Sequence, residues 1–155
     1  MRCDGKILKE NISIDEVIKD VISNTYSKGC GAISIFIGYV KGRIENAKVH
    51  ELIYEAYEPH ASRKLKEIAC EIANKYSIPY ILILHKIGNL KPGEISIYII
   101  STAVSRHNAI EAVREALERV KKEVPIFKLE KRDDGEYWIV GDGKRIPRSK
   151  LLSDY

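Results

Sequence analysis

The chain has 155 residues, of which 45% are hydrophobic, 26 are Lys or Arg and 22 are Asp or Glu. This length and apolar content suit one folded domain with a buried core and exclude a disordered chain. The formal net charge of +4 is too small for a dedicated polyanion binder. Residues 121–150 hold nine Lys or Arg against six Asp or Glu, so most of the surplus lies in this short stretch.

The composition also bears on habitat and compartment. Gln is absent, the initiator is the only Met, and charged residues make up 31%. Depletion of thermolabile side chains together with many Lys and Glu is typical of heat-adapted proteins, so the composition predicts a protein from a thermophile. No signal-peptide pattern opens the chain, and no apolar run approaches the roughly 20 residues of a membrane helix. We therefore expect a soluble, cytoplasmic protein.

The three cysteines are Cys3, Cys30 and Cys70. None lies in a CxxC pair or at metal-ligand spacing from a histidine, which disfavours a zinc site. An odd count without paired spacing favours reduced thiols over a disulfide framework.

The first predicted element is a helix that begins at the capping box Ser13-Ile14-Asp15-Glu16. Its apolar stripe recurs at helical spacing through Ile22, and Gly29 ends it. Alternation over residues 31–40 predicts a strand, residues 41–48 a loop, and residues 49–57 a second strand. Pro59 then opens a second helix that continues to Tyr76.

Two strands at 80–87 and 94–102 follow, joined by a turn at Lys91-Pro92-Gly93. A third helix begins near Ser105 and ends before Pro125. Strands at 126–131 and 137–140 flank the hairpin signal Asp133-Asp134-Gly135. Paired strands with helices between the pairs predict an α+β fold with a largely antiparallel sheet, in one domain of residues 1–140. Residues 141–155 are expected to form a basic tail that is mobile or ordered by a partner or substrate.

Lys121 and Lys128 are the first candidate functional group, on either side of Pro125. Lys121 falls in the last turn of the third helix, and Lys128 lies on the following apolar strand. Apolar surroundings lower the pKa of a lysine and make neutral amine available for proton transfer or nucleophilic attack. The alternative is a solvated Lys128 and a Lys121 that stabilises the helix dipole.

Two other basic groups could bind anions. Ser105-Arg106-His107 combines an arginine with the free amides of a helix start, which together favour a phosphate or carboxylate. The loop Lys41-Gly42-Arg43 could bring cations to a phosphate. A capped helix with a solvated arginine and an ordinary basic loop are the alternatives. We expect His85 to be a buried histidine whose ring is hydrogen-bonded within the core, and Tyr54 to pack against the sheet.

Several short segments across residues 30–140 resemble, in order and spacing, the catalytic subunits of molybdopterin synthase. They are Gly31-Ala32-Ile33, Phe36-Ile37-Gly38-Tyr39-Val40, Tyr54-Glu55-Ala56-Tyr57, His85-Lys86-Ile87-Gly88-Asn89-Leu90, Pro92-Gly93-Glu94, Arg106 with Ala109, Pro125-Ile126-Phe127-Lys128-Leu129-Glu130, Asp134-Gly135 and Trp138. The resemblance implies an α/β hammerhead-type fold with three main helices. It also implies a homodimer within a heterotetramer that includes two small ubiquitin-like sulfur-carrier subunits.

The implied reaction is sulfur transfer from the Gly-Gly thiocarboxylate of the small subunit to cyclic pyranopterin monophosphate, which forms the dithiolene of molybdopterin. The resemblance places the catalytic lysines on Lys121 and Lys128, an acidic neighbour on Glu130 and an anion-binding arginine on Arg106. It implies no cofactor, metal, nucleic acid or membrane.

The chain departs from the family pattern at two positions. Ser105 stands where the family has a histidine before the anion-binding arginine, and Lys41 stands where the family has an arginine. We expect His107, Lys41 and Arg43 to compensate in phosphate binding, and Arg148 of the tail to contribute across the dimer.

The sequence leaves two other hypotheses open. The protein could be a non-catalytic basic α+β module that binds RNA or a protein, or it could be an inactive relative of the synthase subunit. Both Phe residues of the chain lie outside any aromatic-basic strand motif, which disfavours the RNA-binding module.

Overall fold

The computed structural model describes residues 1–140 and 143–149. Over this part of the chain there are three helices, α1 (Ile14–Thr25), α2 (His60–Tyr76) and α3 (Arg106–Glu123), with a 3-10 turn at Tyr26–Lys28. The strands are β1 (Arg2–Leu8), β2 (Ala32–Tyr39), β3 (Arg43–Ile44), β4 (Ala47–Ala56), β5 (Tyr80–Lys86), β6 (Gly88–Leu90), β7 (Ile95–Ala103), β8 (Ile126–Arg132), β9 (Gly135–Val140) and β10 (Lys144–Pro147). No helix in the described residues is long and apolar enough to cross a membrane.

A four-stranded sheet in the order β1-β5-β7-β2 forms the centre of the molecule. The β1–β5 pair is parallel and the other two pairs are antiparallel. Alternate residues of β5 enter different cores: Ile81 and Ile83 pack with α2 and α3, whereas Leu82 and Leu84 pack with α1. Side chains alternate across a strand, so β5 and β7, which are apolar on both faces, pack against helices on both sides of the sheet.

The second sheet has the order β10-β9-β8-β4-β3, with β6 paired to β4. All its strand pairs are antiparallel. Val40, Val49, Leu52 and Leu90 form its small core with Tyr54. The α+β fold with three helices and largely antiparallel sheets is therefore confirmed.

Four strands were not predicted. They are β1, β3, β6 and β10. In β1, Gly5 lies so close to the backbone of Leu65 in α2 that any side chain there would collide with it.

Residues 144–147 depart from the expected tail, since they form β10 on the edge of β9. Residues 141–142 and 150–155 of that tail lie outside the described residues.

The prediction of reduced cysteines is wrong for two of the three. Cys3 in β1 and Cys70 in α2 form a disulfide across a sequence separation of 67 residues, and Cys30 is free. Cysteines on a strand and a helix have no spacing signature, because only the packing of β1 on α2 brings them together.

We expect Cys70→Ser to lower the free energy of unfolding by about 2–4 kcal/mol, because a disulfide that closes a long loop restricts the unfolded chain. Urea unfolding without reductant measures this loss. Cys30→Ser is the matched control and should change stability little. A wild-type protein with three titratable thiols after denaturation in urea would contradict the prediction.

Candidate active site

Lys128 is positioned by the junction between α3 and β8. Val124 caps α3 in an extended conformation, and Pro125 leads directly into β8. The carbonyl of Pro125 accepts a hydrogen bond from the amide of Tyr57 at 3.0 Å, which fixes the start of β8 beside β4. In this register Lys128 lies opposite Tyr54.

The Lys128 side chain is half-buried and lies among charged groups. Burial is the main cause that lowers its pKa, and the cations of Lys121, Arg145 and Lys41 lower it further, whereas Glu130 raises it. Lys121 is exposed in the last turn of α3, as predicted, and Lys41 is exposed between β2 and β3. The charges that act on Lys128 thus include three other predicted site residues, namely Lys41, Lys121 and Glu130.

Glu130 is the acidic partner of this cluster. It is only 2% exposed and follows Lys128 by two residues on β8, so the two side chains lie on one face of the strand. Its carboxylate lies 3.1 Å from Nε of Arg145 and 3.5 Å from Nη1 of Arg132. Two guanidinium groups therefore already balance Glu130, and the lysines remain available to an anionic substrate.

A layer of polar aromatic residues lies behind Lys128. Nζ of Lys128 is 5.8 Å from the centroid of the Tyr54 ring, and the His85 ring stands edge-on to Tyr54 with centroids 5.1 Å apart. Burial lowers the pKa of His85 to about 4, so His85 is neutral at ordinary pH. The prediction that His85 is a satisfied core histidine is confirmed, since Nδ1 contacts the Lys86 carbonyl at 2.7 Å.

Arg106 and His107 lie at the opposite end of α3 from Lys121. Ser105 caps the helix by accepting a hydrogen bond from the amide of Asn108 at 3.2 Å, and Arg106 and His107 are exposed. They line a groove of about 730 Å³ together with Gly31, Ala32, Val104 and Ile110. At a rise of 1.5 Å per residue, Arg106 and Lys121 are about 22 Å apart along the helix. Within one chain the structure therefore does not bring Arg106 to the lysines.

The remaining predicted residues have other neighbours. Arg43 is exposed in β3 and pairs with Lys48 of β4 through the backbone. Arg148 donates a hydrogen bond to Glu136 at 2.6 Å. Neither residue is among the charges with the largest effects on the pKa of Lys128.

Arg145 and Arg132 are site residues that the sequence interpretation missed. The sequence places Arg145 in the expected tail, although Asp142-Gly143 is a hairpin signal of the same kind as Asp134-Gly135. That signal could have predicted β10, whose second residue is Arg145. The sequence predicts only a packing role for Tyr54, because the strand pairing that places it opposite Lys128 is not local.

This arrangement suits a reaction of anions. A partly desolvated amine can exchange a proton at lower pH than an exposed lysine can, and the neighbouring cations can hold a carboxylate-like donor and a phosphate against their mutual repulsion. No group of His, Cys, Asp and Glu side chains suited to a metal ion occurs in residues 1–140 and 143–149.

Comparison with known proteins identifies the family. The family model described as MoaE protein matches residues 7–123. The molybdopterin synthase catalytic subunit of Pyrococcus abyssi is 39% identical over 130 residues, which cover 84% of this chain and 87% of that protein. The human molybdopterin synthase catalytic subunit is 36% identical over 129 residues, which cover 83% of this chain and 66% of that protein.

Solved structures agree with this assignment. Molybdopterin synthase from Staphylococcus aureus superposes with a TM-score of 0.74 at 33% identity, covering 89% of this chain and 97% of that one. A complex of subunits 1 and 2 of the molybdopterin-converting factor from Helicobacter pylori has a chain with the same fold, with a TM-score of 0.64 at 23% identity, covering 94% of this chain and 90% of that one. The chain therefore belongs to the MoaE family of molybdopterin synthase catalytic subunits, enzymes of molybdenum cofactor biosynthesis.

Proposed function

We propose that this chain transfers sulfur from the C-terminal thiocarboxylate of a small ubiquitin-like subunit to cyclic pyranopterin monophosphate. The observation that carries the proposal is the half-buried Lys128, whose pKa is lowered by burial and by three neighbouring cations. Such an amine can accept and return a proton during the reaction, while an ordinary exposed lysine stays charged.

The other cations of the cluster have complementary roles. Lys121 is exposed next to Lys128 and stabilises negative charge that develops on the thiocarboxylate carbonyl or on the phosphate. Lys41 offers a point charge to the phosphate in place of a planar guanidinium. Glu130 holds Arg145 of β10 at 3.1 Å, and thereby fixes the wall of the site beside Lys128.

The sulfur donor of the proposal is a flexible peptide tail that ends in Gly-Gly. A carboxylate or thiocarboxylate at the end of such a tail is attracted by the cations around Lys128, and glycines allow the tail to approach the backbone closely. The Helicobacter pylori relative is part of a complex between two subunits of the molybdopterin-converting factor, which supports a small partner subunit here.

We also propose a homodimer whose sites are shared between chains. Arg106 lies about 22 Å along α3 from Lys121, too far to contact the same small substrate within one chain. In a two-fold dimer each chain can offer Arg106 to the Lys128 site of its partner. With two small subunits, this arrangement gives the heterotetramer. A cytoplasmic location stays a prediction of the sequence.

Subunit exchange tests the shared site. Lys128→Ala and Arg106→Ala homodimers should each be nearly inactive in sulfur transfer. After unfolding and joint refolding with equal amounts of each, we expect about a quarter of wild-type activity, because half of the dimers are mixed and each has one intact site. The same two proteins mixed without refolding are the control.

A mixture that stays inactive after exchange, with mixed dimers confirmed by mass spectrometry, would contradict the shared site. In that case Arg106 and Lys128 act in separate sites or in the same chain. Full activity of Arg106→Ala alone would remove Arg106 from phosphate binding.

A further inference from the structure

Tyr54 and His85 are two buried residues behind Lys128 to which the proposed reaction assigns no role. Tyr54 is 9% exposed and His85 is 7% exposed, so neither can present its ring freely to a substrate. Lys128 Nζ lies over the Tyr54 ring, 5.8 Å from its centroid. The His85 ring meets Tyr54 at an interplanar angle of 68°. His85, Tyr54 and Lys128 therefore lie in a row from the core to the site.

Each ring is fixed independently of Lys128. Since the partner of His85 Nδ1 is the carbonyl of Lys86 at 2.7 Å, Nδ1 carries the proton and donates it. The hydroxyl of Tyr54 lies beside that of Ser96, which donates a hydrogen bond to the carbonyl of Gly38 at 3.2 Å. The two fixed rings therefore present a rigid aromatic face to the flexible side chain of Lys128.

We propose that Tyr54 and His85 are positioning residues for Lys128: His85 supports the Tyr54 ring edge-on, and the face of that ring holds the Lys128 amine at the site and shields it from water. This inference rests on the catalytic role of Lys128 in the proposed function. It adds two residues, on β4 and β5, to the two lysines that the sequence suggested.

The charges around Lys128 explain why it needs such support. Lys121 on α3, Arg145 on β10 and Lys41 after β2 all repel its ammonium form, whereas Glu130 on β8 attracts it. The ring face of Tyr54 is an additional attractive partner, since the quadrupole of an aromatic ring favours a nearby cation. His85 adds no further repulsion, because burial lowers its pKa to about 4 and keeps it neutral.

The ring has two opposite effects on the pKa of Lys128. Its face favours the ammonium and raises the pKa, whereas its bulk excludes water and lowers the pKa. Burial is the largest of the causes that shift the pKa of Lys128, and the ring contributes to that burial. Removal of the ring should therefore raise the pKa of Lys128 towards that of an exposed lysine and leave the side chain less well placed.

The test measures the reactivity of Lys128 towards an amine-reactive label as a function of pH in the intact protein, with peptide mass spectrometry as readout, beside single-turnover sulfur transfer. Tyr54→Leu should move the labelling midpoint of Lys128 to higher pH and slow transfer about tenfold, because small displacements of a reacting group are costly. Tyr54→Phe retains the ring and should keep the wild-type midpoint. His85→Ala should shift the midpoint in the same direction as Tyr54→Leu, by less.

Tyr98→Leu is the matched control, since Tyr98 is 1% exposed in the other core, against α1. It should reduce stability without moving the Lys128 midpoint.

An unchanged midpoint in Tyr54→Leu, or a shift in Tyr54→Phe as large as in Tyr54→Leu, would overturn the proposal. If Tyr54→Leu does not fold, a wild-type midpoint and rate in His85→Ala would overturn it. Normal transfer by Lys128→Ala would instead refute the proposed catalytic role, and the labelling midpoints would still decide the positioning role.

Discussion

Replacement of Lys128 by alanine is expected to slow sulfur transfer by at least about a hundredfold, the lower end of what one positioned acid–base group contributes. Stability should change little, because the Lys128 amine is surrounded mainly by repelling cations. The measurement is single-turnover formation of molybdopterin from the substrate pterin and thiocarboxylated small subunit. Lys122→Ala is the matched control: Lys122 is a neighbouring lysine of α3 whose Nζ lies 3.9 Å from Glu118.

Lys128→Arg separates proton transfer from simple charge stabilisation. Arginine keeps the positive charge but does not lose its proton at ordinary pH. We therefore expect Lys128→Arg to bind both substrates and to transfer sulfur as poorly as Lys128→Ala. Substantial activity in Lys128→Arg would show that the side chain acts only as a cation.

The pH dependence of the wild-type rate follows from the same residue. Neutral amine forms as pH rises through the pKa of Lys128, so the rate should rise with pH. Because burial lowers that pKa, the rise should level off below 10.5, the ordinary value for lysine. This rise of the rate with pH should be absent from the residual activity of Lys128→Ala.

Glu130→Ala is the second substitution with a large expected effect, and it acts mainly on stability. The Glu130 side chain is only 3% exposed and lies within 3.5 Å of the guanidinium of Arg132 and closer still to Arg145. Removal of the carboxylate leaves Arg145 and Lys128 without this negative partner, whereas Arg132 keeps Asp134 at 2.8 Å. Because Arg145 is 34% exposed and water can solvate it, the loss should be smaller than for a fully buried pair, and we expect about 2 kcal/mol in urea unfolding.

Glu136→Ala provides a matched control for this loss. Glu136 of β9 pairs at 2.6 Å with Arg148, which follows β10, but the two side chains are 38% and 45% exposed. Exposed ion pairs contribute at most about 1 kcal/mol, so this control should be nearly neutral. Equal losses in the two variants would show that the buried position of Glu130 contributes nothing to stability.

The main elements of the fold were predictable because their signals are local. Ser13 caps α1 by accepting from the amide of Glu16, and the apolar stripes of α2 and α3 face the core as their spacing predicts. The strand β1 was not predictable in this way. It is an edge strand with charged residues and a glycine, and its place depends on β5, nearly 80 residues later in the chain.

The same distinction applies to the site. Lys121 and Lys128 are separated by a single helix end, so their proximity follows from local sequence around Pro125. Arg145 reaches Glu130 only through the pairing of β10 with β9 and of β9 with β8. The link between Cys3 and Cys70 likewise needs the packing of β1 on α2. Such non-local contacts lie outside what periodicity and capping signals can predict.

The proposed function makes this chain the sulfur-transferring subunit and Lys128 its catalytic base. The most direct measurement mixes the wild-type protein with small subunit that carries a radiolabelled thiocarboxylate and with cyclic pyranopterin monophosphate, and follows the label. We predict that the label moves to the pterin, two sulfur atoms per pterin, and that Lys128→Ala blocks this transfer while it still binds the small subunit. Binding of the small subunit by the wild-type protein without movement of the label to the pterin would contradict the claim.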